Sequence, residues 1–330
     1  MSGKKLQMRV LVTGGNGFVG SYVVEALLRQ GHRVICLVRR TSDLRWIEGL
    51  EVAYRYGDVR DERSLREAVK GVEAVVHLAG LVKASSPDGY LQVNAKGTEN
   101  LLRACEGENS VRYFLLMSSL SAAGPARGPE PLREEDEPHP ISAYGRSKLM
   151  AERLALARSD RFRVGVLRPP AVYGPRDTEV LAFFRWAKRG ILPIPAQRPG
   201  WVSLIYVEDL ARACVMALER EAEGVYFVGH PETTSWEEVG RTIARGLERR
   251  ALPLYVPFPL VYAAALCAET ASRLSGRAVQ LNREKVTEMA QPYWICDPSK
   301  AKRDFGFQAE IDVEEGMDRT LRWYLQEGWL

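Results

Sequence analysis

Three glycines spaced three residues apart near the start of the chain constrain its fold most strongly. Gly14, Gly17 and Gly20 follow a β-rich run at 9–12 and open a helical pattern over 17–30. Between a strand and a helix, such glycines permit a tight turn, the approach of the backbone to a pyrophosphate, and close packing of the helix on the strand. The helix N-terminus offers unpaired N–H groups and a partial positive charge to phosphate. The cofactor contacts expected at this turn are Thr13, Gly14, Gly15, Asn16, Gly17, Phe18 and Val19.

The alternation of strand-like and helical patterns continues through the first half of the chain. Strands are predicted at 9–12, 33–38, 52–56, 74–78, 113–117 and 164–167, and helices at 17–30, 62–70, 90–105 and 143–157. Repeated strand–helix–strand units form a parallel sheet with helices on both faces and right-handed crossovers. The sequence therefore predicts an α/β protein built on a Rossmann-type, doubly wound parallel sheet.

The rhythm changes after Pro169, where proline and glycine become frequent up to Gly200. Strand-like runs return at 202–207 and 225–228, and the pattern is mainly helical from Trp236 onward. We expect the chain to cross between two units more than once. The predicted dinucleotide-binding domain comprises 1–175 and about 201–230, and the predicted smaller, mainly helical substrate-binding lobe comprises about 176–200 and 231–330.

The end of the second predicted strand indicates which dinucleotide is bound. NAD-binding proteins typically carry Asp or Glu at this point to bind the ribose 2′-hydroxyl. Here Val38 stands at that position and is followed by Arg39 and Arg40. Two guanidinium groups suit a 2′-phosphate through bidentate, charge-assisted hydrogen bonds. The sequence favours NADP(H) over NAD(H), and a pair of solvated surface arginines is the alternative interpretation.

A tyrosine and a lysine four residues apart lie at the start of a strongly helical stretch. This spacing places Tyr144 and Lys148 on one face of the helix, one turn apart. A phenol has a pKa of about 10 and is a poor acid or base near neutrality. A fixed ammonium nearby is expected to lower the phenol pKa. Tyr144 would then exchange a proton with a carbonyl or an alcohol.

A serine at the end of a predicted strand supplies a third group. The buried-looking strand at 113–117 is followed by Ser118 and Ser119. A hydroxyl at the carboxyl end of a parallel strand faces the crevice in which such folds bind ligands. Ser119 is expected to hold the substrate oxygen while Tyr144 transfers the proton. A strand-end serine that bonds only local backbone groups is the alternative.

The order and spacing of these motifs resemble the extended short-chain dehydrogenase/reductase superfamily, which includes the NAD-dependent epimerases and dehydratases. Further motifs that carry the resemblance are Asp58, His77-Leu78-Ala79-Gly80, Asn94 and Arg168-Pro169-Pro170-Ala171-Val172-Tyr173-Gly174. The similarity covers about residues 8–230 clearly and the remainder loosely. The resemblance implies that Ser119, Tyr144 and Lys148 form a catalytic triad, and that Lys148 also contacts the nicotinamide ribose.

The resemblance also implies the remaining site residues. The further cofactor contacts would be Asp58 and Val59 at the adenine, Leu78, Ala79 and Gly80 at the central part, and Pro169, Ala171 and Val172 at the nicotinamide. Asn94 would be a catalytic-site helix residue near the cofactor, with an asparagine that serves helix packing as the alternative. A homodimer would form through the helices around 90–105 and 143–158.

Three features favour a reductase branch of the superfamily over its nucleotide-sugar enzymes. The arginines that replace the acidic ribose ligand resemble dihydroflavonol-reductase-like members, and residues 293–330 are similar to 3β-hydroxysteroid-dehydrogenase-like proteins. In addition, Val202 stands where nucleotide-sugar enzymes usually carry an arginine for the substrate diphosphate. Arg176 or Arg198 would have to supply that cation, which keeps the nucleotide-sugar interpretation open.

An almost uncharged segment at 252–267 bears on the substrate. Three prolines interrupt its first half, and it is too short to span a bilayer of about 30 Å. We expect a buried helix or the wall of a hydrophobic substrate pocket. Weak contact with a membrane surface is the alternative.

Composition argues against several other classes of protein. The chain has 46 basic and 42 acidic side chains, a net charge of +4, and no basic tail, which argues against a nucleic-acid partner. The five cysteines are far apart and the four histidines are scattered, so no metal site is expected. Reduced thiols and the lack of a signal-peptide pattern or transmembrane segment favour a cytoplasmic protein.

Together these features predict an NADP(H)-dependent oxidoreductase with Tyr144 as its acid or base. It would transfer a hydride between nicotinamide and a carbonyl or secondary alcohol of a hydrophobic small molecule. A nucleotide-sugar epimerase or dehydratase that holds NAD tightly is the first alternative. A non-catalytic sensor that binds NADP(H) is the second, and the intact set of Ser119, Tyr144 and Lys148 argues against it.

Overall fold

The computed structural model describes residues 7–84, 86–195, 200–275 and 283–330. Within these ranges the strands are β1 (Arg9–Thr13), β2 (Arg33–Val38), β3 (Ala53–Tyr56), β4 (Ala74–His77), β5 (Tyr113–Met117), β6 (Arg163–Arg168), β7 (Ala171–Tyr173), β8 (Ile191–Pro195), β9 (Trp201–Val202), β10 (Leu204–Tyr206), β11 (Gly224–Phe227), β12 (Thr234–Ser235), β13 (Leu252–Val256) and β14 (Tyr293–Trp294). The helices are α1 (Phe18–Arg29), α2 (Glu62–Ala68), α3 (Pro87–Tyr90), α4 (Gly97–Glu106), α5 (Leu120–Ala123), α6 (Ala143–Leu156), α7 (Leu181–Lys188), α8 (Val207–Arg220), α9 (Trp236–Gly246), α10 (Phe258–Ser275), α11 (Arg283–Met289), α12 (Ser299–Phe305) and α13 (Val313–Gln326). A π-helical segment, Leu91–Lys96, lies between α3 and α4.

A parallel sheet organises the first part of the chain. Its seven described strands lie in the order β11-β6-β5-β4-β1-β2-β3, and each neighbouring pair is parallel. The strand order reverses at β1, so a crevice opens beyond the carboxyl ends of β1 and β4. The predicted α/β fold with a doubly wound parallel sheet is confirmed.

The central strands of the sheet are buried on both faces because most of their residues are apolar. Side chains alternate across a strand, so Val10 and Val12 enter one apolar core while Leu11 enters the other. Helix α1 packs on the first core through residues such as Val23 and Leu27. A third cluster, built around residues such as Phe184 and Tyr324, joins the C-terminal elements. The predicted domain boundaries stay a prediction.

The structure corrects several predicted elements near the site. The predicted helix at 90–105 is divided into the end of α3, the π-helical segment and α4. π-Helical turns are rare and are frequent at functional sites. The predicted strand at 202–207 is wrong as a single element, because the chain changes sheets at Ser203. β9 pairs with β12 and β14, β10 pairs with β7, and Val207 already begins α8.

The expectation of a buried segment at 252–267 is wrong. It forms β13 and the first part of α10, and most of its side chains face solvent. Leu252 is 75% exposed and Leu260 is 62% exposed. Apolar composition alone cannot reveal whether another element covers a segment. Within the described ranges, no helix is long and apolar enough to cross a membrane.

Candidate active site

The glycine turn is closed tightly between β1, α1 and the loop after β4. Gly14 has a φ of 70°, in the left-handed region that favours glycine, and a Cβ there would lie 2.8 Å from the Ala79 nitrogen. A Cβ on Gly20 would lie 2.0 Å from the Gly14 oxygen. The Leu78 N–H donates to the Thr13 carbonyl at 3.1 Å. Gly20 therefore permits α1 to pack on the turn itself, and side chains at either glycine would force the backbone apart.

The N-terminus of α1 is open to an anion. Gly17 is the N-cap residue, no side chain caps the helix, and its first turn holds no acidic residue. The first intrahelical bond runs from the Ser21 N–H to the Gly17 carbonyl at 2.9 Å. The preceding N–H groups of the helix have no intrahelical partner. Together with the helix dipole they fit a pyrophosphate, so this turn suits a dinucleotide.

Two arginines lie exposed at the carboxyl end of β2. Arg39 forms no ion pair with any described residue, and the Arg40 guanidinium lies 4.9 Å from the centroid of the Tyr56 ring. The Asn16 side-chain amide donates to the Asp43 carbonyl at 3.0 Å, which ties the glycine turn to the loop that follows the arginines. Arg39 is thus a cation near the dinucleotide turn that remains available to a phosphate.

Asp58 and Val59 follow β3. Arg60 donates to both carboxylate oxygens of Asp58, at 3.0 and 2.8 Å. Hydrogen bonds from Arg60 hold the pKa of Asp58 below its usual value, and the charge of Arg39 lowers it further. The Val59 carbonyl accepts from Asn100 at 3.0 Å. Their contact with adenine stays a prediction.

A chain of hydrogen bonds connects β1, β4 and the π-helical segment. The Ala79 N–H donates to Thr13 Oγ1 at 3.1 Å, and Thr98 Oγ1 donates to the Asn94 carbonyl at 2.5 Å. Thr13 Oγ1 and Thr98 Oγ1 lie 2.6 and 3.0 Å from Nδ1 and Nε2 of His77. One assignment of donors and acceptors gives every group a hydrogen-bond partner: Thr13 donates to Nδ1 of His77, and Nε2 of His77 donates to Thr98. Burial lowers the pKa of His77 to about 3, so the ring is neutral. Its two hydrogen bonds connect β1 with α4 next to the crevice.

The side chain of Asn94 is occupied by protein partners. Oδ1 accepts from the Leu81 N–H at 2.7 Å, and Nδ2 donates to the Leu81 carbonyl at 3.0 Å and to Ser147 Oγ at 2.9 Å. Ser147 in turn donates to the Tyr144 carbonyl at 2.7 Å. Asn94 thus ties the loop after β4 to the helix of Tyr144, which matches the packing alternative. A direct catalytic role stays a prediction.

The two adjacent serines after β5 have different partners. Ser118 is buried and donates to the carboxylate of Glu152. Ser119 is the N-cap of α5, where its Oγ accepts from the Ser121 N–H at 3.1 Å, and it also interacts with the phenol of Tyr144. The Ser119 hydroxyl keeps its own proton to donate. The structure thus brings Ser119, and not Ser118, to the tyrosine.

The phenol of Tyr144 does not have the lowered pKa that the sequence suggests. Burial raises the pKa of Tyr144 well above its usual value, the interaction with Ser119 opposes that rise, and Glu288 adds to it. Burial dominates because a phenolate is disfavoured in a poorly solvated environment. Burial outweighs any lowering of this pKa by Lys148, and the effect of the lysine on the phenol stays a prediction. Tyr144 is protonated near neutral pH.

The ammonium of Lys148 is anchored to the sheet. Its Nζ donates to the carbonyl of Met117, the last residue of β5, at 2.7 Å. Burial lowers the pKa of Lys148 to about 8, and the charge of Glu152 acts against that fall. A Cβ on Gly80 would lie 3.4 Å from Nζ. The ammonium therefore lies beside the loop at which the resemblance places the central part of the cofactor.

A buried ion pair beneath the site is absent from the sequence-based prediction. Glu152 and Arg168 are 1% and 3% exposed, and the guanidinium donates to both carboxylate oxygens at 3.0 and 2.6 Å. The same carboxylate accepts from Ser118. Helical spacing could have indicated the glutamate, which lies four residues after Lys148 and eight after Tyr144, on one face of α6.

Helix α11 contacts the start of α6 from the C-terminal part of the chain. Glu284 accepts from the Ala143 N–H at 3.0 Å, and Glu288 accepts from Ser142 Oγ at 2.7 Å. Carboxylates are favourable at a helix N-terminus because of its partial positive charge. These contacts place α11 beside Tyr144. Local sequence carries no signal for them, since the partners lie far apart in the chain.

The turn after β6 approaches the serine of the site. The Leu120 N–H donates to the Pro169 carbonyl at 2.8 Å, next to Ser119. Ala171 is exposed and Val172 is half-buried at the start of β7. The contact of this turn with nicotinamide stays a prediction.

Of the two arginines considered as ligands of a substrate diphosphate, Arg176 is already bonded to other residues. Arg176 donates to Ser21 Oγ and Glu25 Oε1, each at 2.8 Å, so its guanidinium is committed to α1. Val202 is 2% exposed and lies within a buried apolar cluster. Arg198 lies outside the described residues. The expectation that Arg176 could replace the missing arginine is therefore not supported by its contacts.

Comparison with known proteins defines the relatives of this chain. Residues 10–229 match the model of the NAD dependent epimerase/dehydratase family. A ceramide reductase of Caulobacter vibrioides is 30% identical, over 97% of this chain and 96% of that protein. A 2-alkyl-3-oxoalkanoate reductase of Stenotrophomonas maltophilia is 29% identical, over 94% of this chain and 98% of that protein. The structure of a Thermus thermophilus UDP-glucose 4-epimerase in complex with NAD matches with a TM-score of 0.78 and 25% identity, over 96% of this chain and 99% of that chain.

Proposed function

Because the chain belongs to the NAD-dependent epimerase/dehydratase family, we propose that it is an NADP(H)-dependent reductase or dehydrogenase. Its substrate would be a carbonyl or secondary alcohol of a hydrophobic small molecule. The observation that carries the proposal is the protonated phenol of Tyr144 beside the hydroxyl of Ser119. A carbonyl oxygen that is being reduced needs one group to hold it and another to give it a proton.

The proton chemistry follows from the three side chains. Ser119 donates a hydrogen bond to the carbonyl oxygen, and Tyr144 gives its proton to that oxygen as the carbonyl carbon gains a hydride. When bound, the nicotinamide dinucleotide supplies the hydride. The carbonyl becomes an alcohol and Tyr144 becomes a phenolate, which the charge of Lys148 one helical turn away stabilises. A proton from solvent then restores the phenol, and the reverse sequence oxidises an alcohol.

The fit of the chain to the cofactor rests on the glycine turn and on Arg39. The closed turn and the uncapped α1 helix provide backbone donors for the pyrophosphate. Arg39 has no ion-pair partner among the described residues and suits a 2′-phosphate. Since the matched epimerase structure holds NAD, the preference for NADP(H) belongs to this proposal and rests on Arg39.

Two observations support a hydrophobic substrate: the described residues offer no free cation at the position expected for a diphosphate, and two similar proteins are reductases named for substrates with alkyl chains. Val202 is buried and Arg176 is held by α1, so the described residues offer no free cation at the expected diphosphate position. Two relatives that align over almost the whole chain are reductases, and their names specify ceramide and a 2-alkyl-3-oxoalkanoate as substrates. Both of those names denote compounds that carry alkyl chains. We therefore expect an alkyl ketone or the corresponding alcohol.

A nucleotide-sugar epimerase is the second candidate. The match to a UDP-glucose 4-epimerase over almost its full length favours it. An epimerase would hold its dinucleotide tightly, because the hydride returns to the same substrate.

The nucleotide content of the purified protein tests the two candidates directly. A reductase is expected to contain no tightly held NAD and to bind NADPH at least about tenfold more tightly than NADH, a difference of roughly 1.4 kcal/mol. Arg39→Ala should remove that preference, whereas Arg29→Ala, a change of an exposed arginine at the far end of α1, should keep it. NAD that does not exchange, together with epimerisation of UDP-glucose, would overturn the reductase proposal.

Measurement of ketone reduction completes the test. NADPH consumption should be measured with a long-chain 3-oxo acid, a sphingoid ketone and a short-chain, water-soluble ketone. The proposal predicts turnover that increases with chain length.

A further inference from the structure

An exposed apolar surface lies on β13 and the first part of α10. Leu252, Leu254, Leu260, Tyr262 and Leu266 are 75%, 54%, 62%, 41% and 47% exposed, and we call these five residues the apolar patch. Five large apolar side chains exposed within one stretch of the chain often mark a site of interaction. Arg283 of α11 forms a hydrogen bond with Tyr262, and the four leucines of the patch face solvent.

Basic side chains border the patch on one side. Arg249 and Arg250 follow Glu248 and lie just before β13, and the next acidic residue towards the C-terminus is Glu269. The Leu252 N–H donates to the Gly190 carbonyl at 3.0 Å, which places Arg189 next to these arginines. None of the three arginines forms an ion pair with a described residue. The patch thus combines apolar side chains with three exposed arginines, and the carboxylate of Glu248 is next to two of them in the chain.

An aromatic residue stands at the same border. Trp186 is 42% exposed, and the Arg189 guanidinium lies 5.4 Å from the centroid of its ring. Tryptophan favours places where one end of the side chain is in apolar surroundings and the other meets water. A border with Trp186 and three arginines fits the headgroup layer of an anionic membrane.

We propose that the apolar patch docks onto the surface of an anionic lipid bilayer. The leucines would enter the boundary between headgroups and acyl chains while Arg189, Arg249 and Arg250 contact anionic headgroups. No described helix is able to cross the membrane, so the protein would lie on one leaflet. This proposal deepens the proposed function, on which it rests, because it names a membrane lipid as the source of the substrate.

The contacts of α10 connect the patch to the candidate active site. Glu269 of α10 accepts from the Arg283 side chain of α11 at 2.9 Å. On the same short helix, Glu284 and Glu288 contact the start of α6, directly beside Tyr144. The membrane-facing helix is thus one helix away from the proton donor. A lipid held in the bilayer would approach Tyr144 from the side of the chain that carries the patch.

Binding to vesicles tests the proposal without nucleotide or substrate. The full chain is mixed with vesicles of phosphatidylcholine alone, or of phosphatidylcholine with phosphatidylglycerol, and the bound fraction is measured by co-sedimentation. We expect binding to the phosphatidylglycerol vesicles that weakens as salt rises, since exposed charges are screened over about 10 Å at 0.1 M salt. Equal lack of binding to both kinds of vesicle would overturn the proposal.

Substitutions separate the patch from the rest of the surface. Leu254→Glu with Leu260→Glu should weaken vesicle binding about tenfold or more, and Arg249→Gln with Arg250→Gln should weaken it about tenfold. Leu325→Glu is the control, because Leu325 is 55% exposed on α13, outside the patch. All variants should bind NADPH as the wild type does, which shows that they are folded. An equal loss in the control would contradict the proposal.

Two further measurements distinguish the other outcomes. If the patch instead covers a second copy of the chain, the wild type sediments as a dimer, the leucine variants sediment as monomers, and vesicles are not bound. That result would overturn membrane docking. Tyr144→Phe should lose turnover but keep vesicle binding. Failure of the reductase proposal therefore appears in the enzyme assay, and failure of membrane docking appears in the vesicle assay.

Discussion

The carboxyl edge of the sheet buries polar side chains, whereas the segment at 252–267 exposes apolar ones. At the sheet edge, the polar side chains of Asn94, Lys148 and Glu152 are buried, and each bonds to another part of the protein. In the segment, Leu252 and Leu260 are apolar and face solvent. A residue type alone does not decide burial in either region. What decides it is whether another element supplies a partner.

This difference predicts which regions of the protein lose stability or activity when a residue is substituted. A buried polar group costs free energy unless it is hydrogen-bonded, so removal of one partner at the sheet edge leaves another group unsatisfied. Substitution of an exposed side chain usually changes stability by less than about 0.5 kcal/mol. We therefore expect chemistry and stability to respond at the sheet edge, and surface binding to respond in the segment.

The largest effect at the sheet edge should come from the loss of the Tyr144 hydroxyl. Tyr144→Phe is expected to lower turnover by about 10²–10⁴-fold, because a general acid is lost, with the Kd for NADPH almost unchanged. The rates are measured by NADPH consumption at saturating substrate. Tyr90→Phe is the matched control, since the Tyr90 ring packs edge-on against Tyr144 at 5.9 Å between centroids. A Tyr144→Phe variant that keeps more than roughly a tenth of the rate would refute its assignment as the acid.

Breaking the buried ion pair should give the largest change in stability. Glu152→Gln leaves the charge of Arg168 uncompensated, and the free energy of unfolding should fall by about 3–5 kcal/mol. Urea denaturation measures the change. Glu67→Gln breaks an exposed pair with Lys70, whose Nζ lies 2.6 Å from the carboxylate, and should cost about 0–1 kcal/mol. Equal losses of unfolding free energy in the two variants would contradict the expectation that the sheet edge is more sensitive than the surface.

A methyl group in the glycine turn should have a smaller effect on stability. In Gly20→Ala the new Cβ would lie 2.0 Å from the Gly14 oxygen, and such overpacking costs about 1–3 kcal/mol. Because the turn must open, NADPH binding should weaken about tenfold. Gly128→Ala provides the control, since a Cβ there meets no heavy atom within 4 Å. Unchanged NADPH affinity in Gly20→Ala would show that the turn does not hold the dinucleotide.

The smallest expected effect is a pH dependence of stability from Lys148. Burial lowers its pKa from 10.5 to about 8, so the unfolded chain binds a proton that the folded chain lacks between these pH values. The free energy of unfolding should therefore rise with pH through this window, and the gain is lost as pH falls through about 8. Between about pH 7 and about pH 9.5, the wild type should gain about 1–2 kcal/mol relative to Lys148→Met.

Urea denaturation of both proteins at the two pH values measures this gain, and other titrating groups cancel in the difference. Lys96→Met is the control, because the Lys96 side chain is 47% exposed. No gain relative to Lys148→Met, or an equal gain relative to Lys96→Met, would contradict a buried, weakly basic ammonium at the site.

Much of the site could be predicted because its signals are local in sequence. The glycine spacing and the four-residue step from Tyr144 to Lys148 each describe one turn of backbone, and the alternation of strands and helices gave the fold class. The pairing of Glu152 with Arg168 could not be predicted in the same way. It joins α6 to the end of β6, and the sequence does not show which charged side chains will be buried together.

The sequence by itself determined the parallel α/β fold, the glycine turn between β1 and α1, and the chemical groups that stand at the ends of the strands. These features depend on steric rules and periodicities that act within a few residues. Only the tertiary structure decided that burial raises the pKa of Tyr144, that Arg176 is held by α1, and that the segment at 252–267 faces solvent. Burial and partnership depend on which distant elements meet, and that is settled only when the whole chain packs.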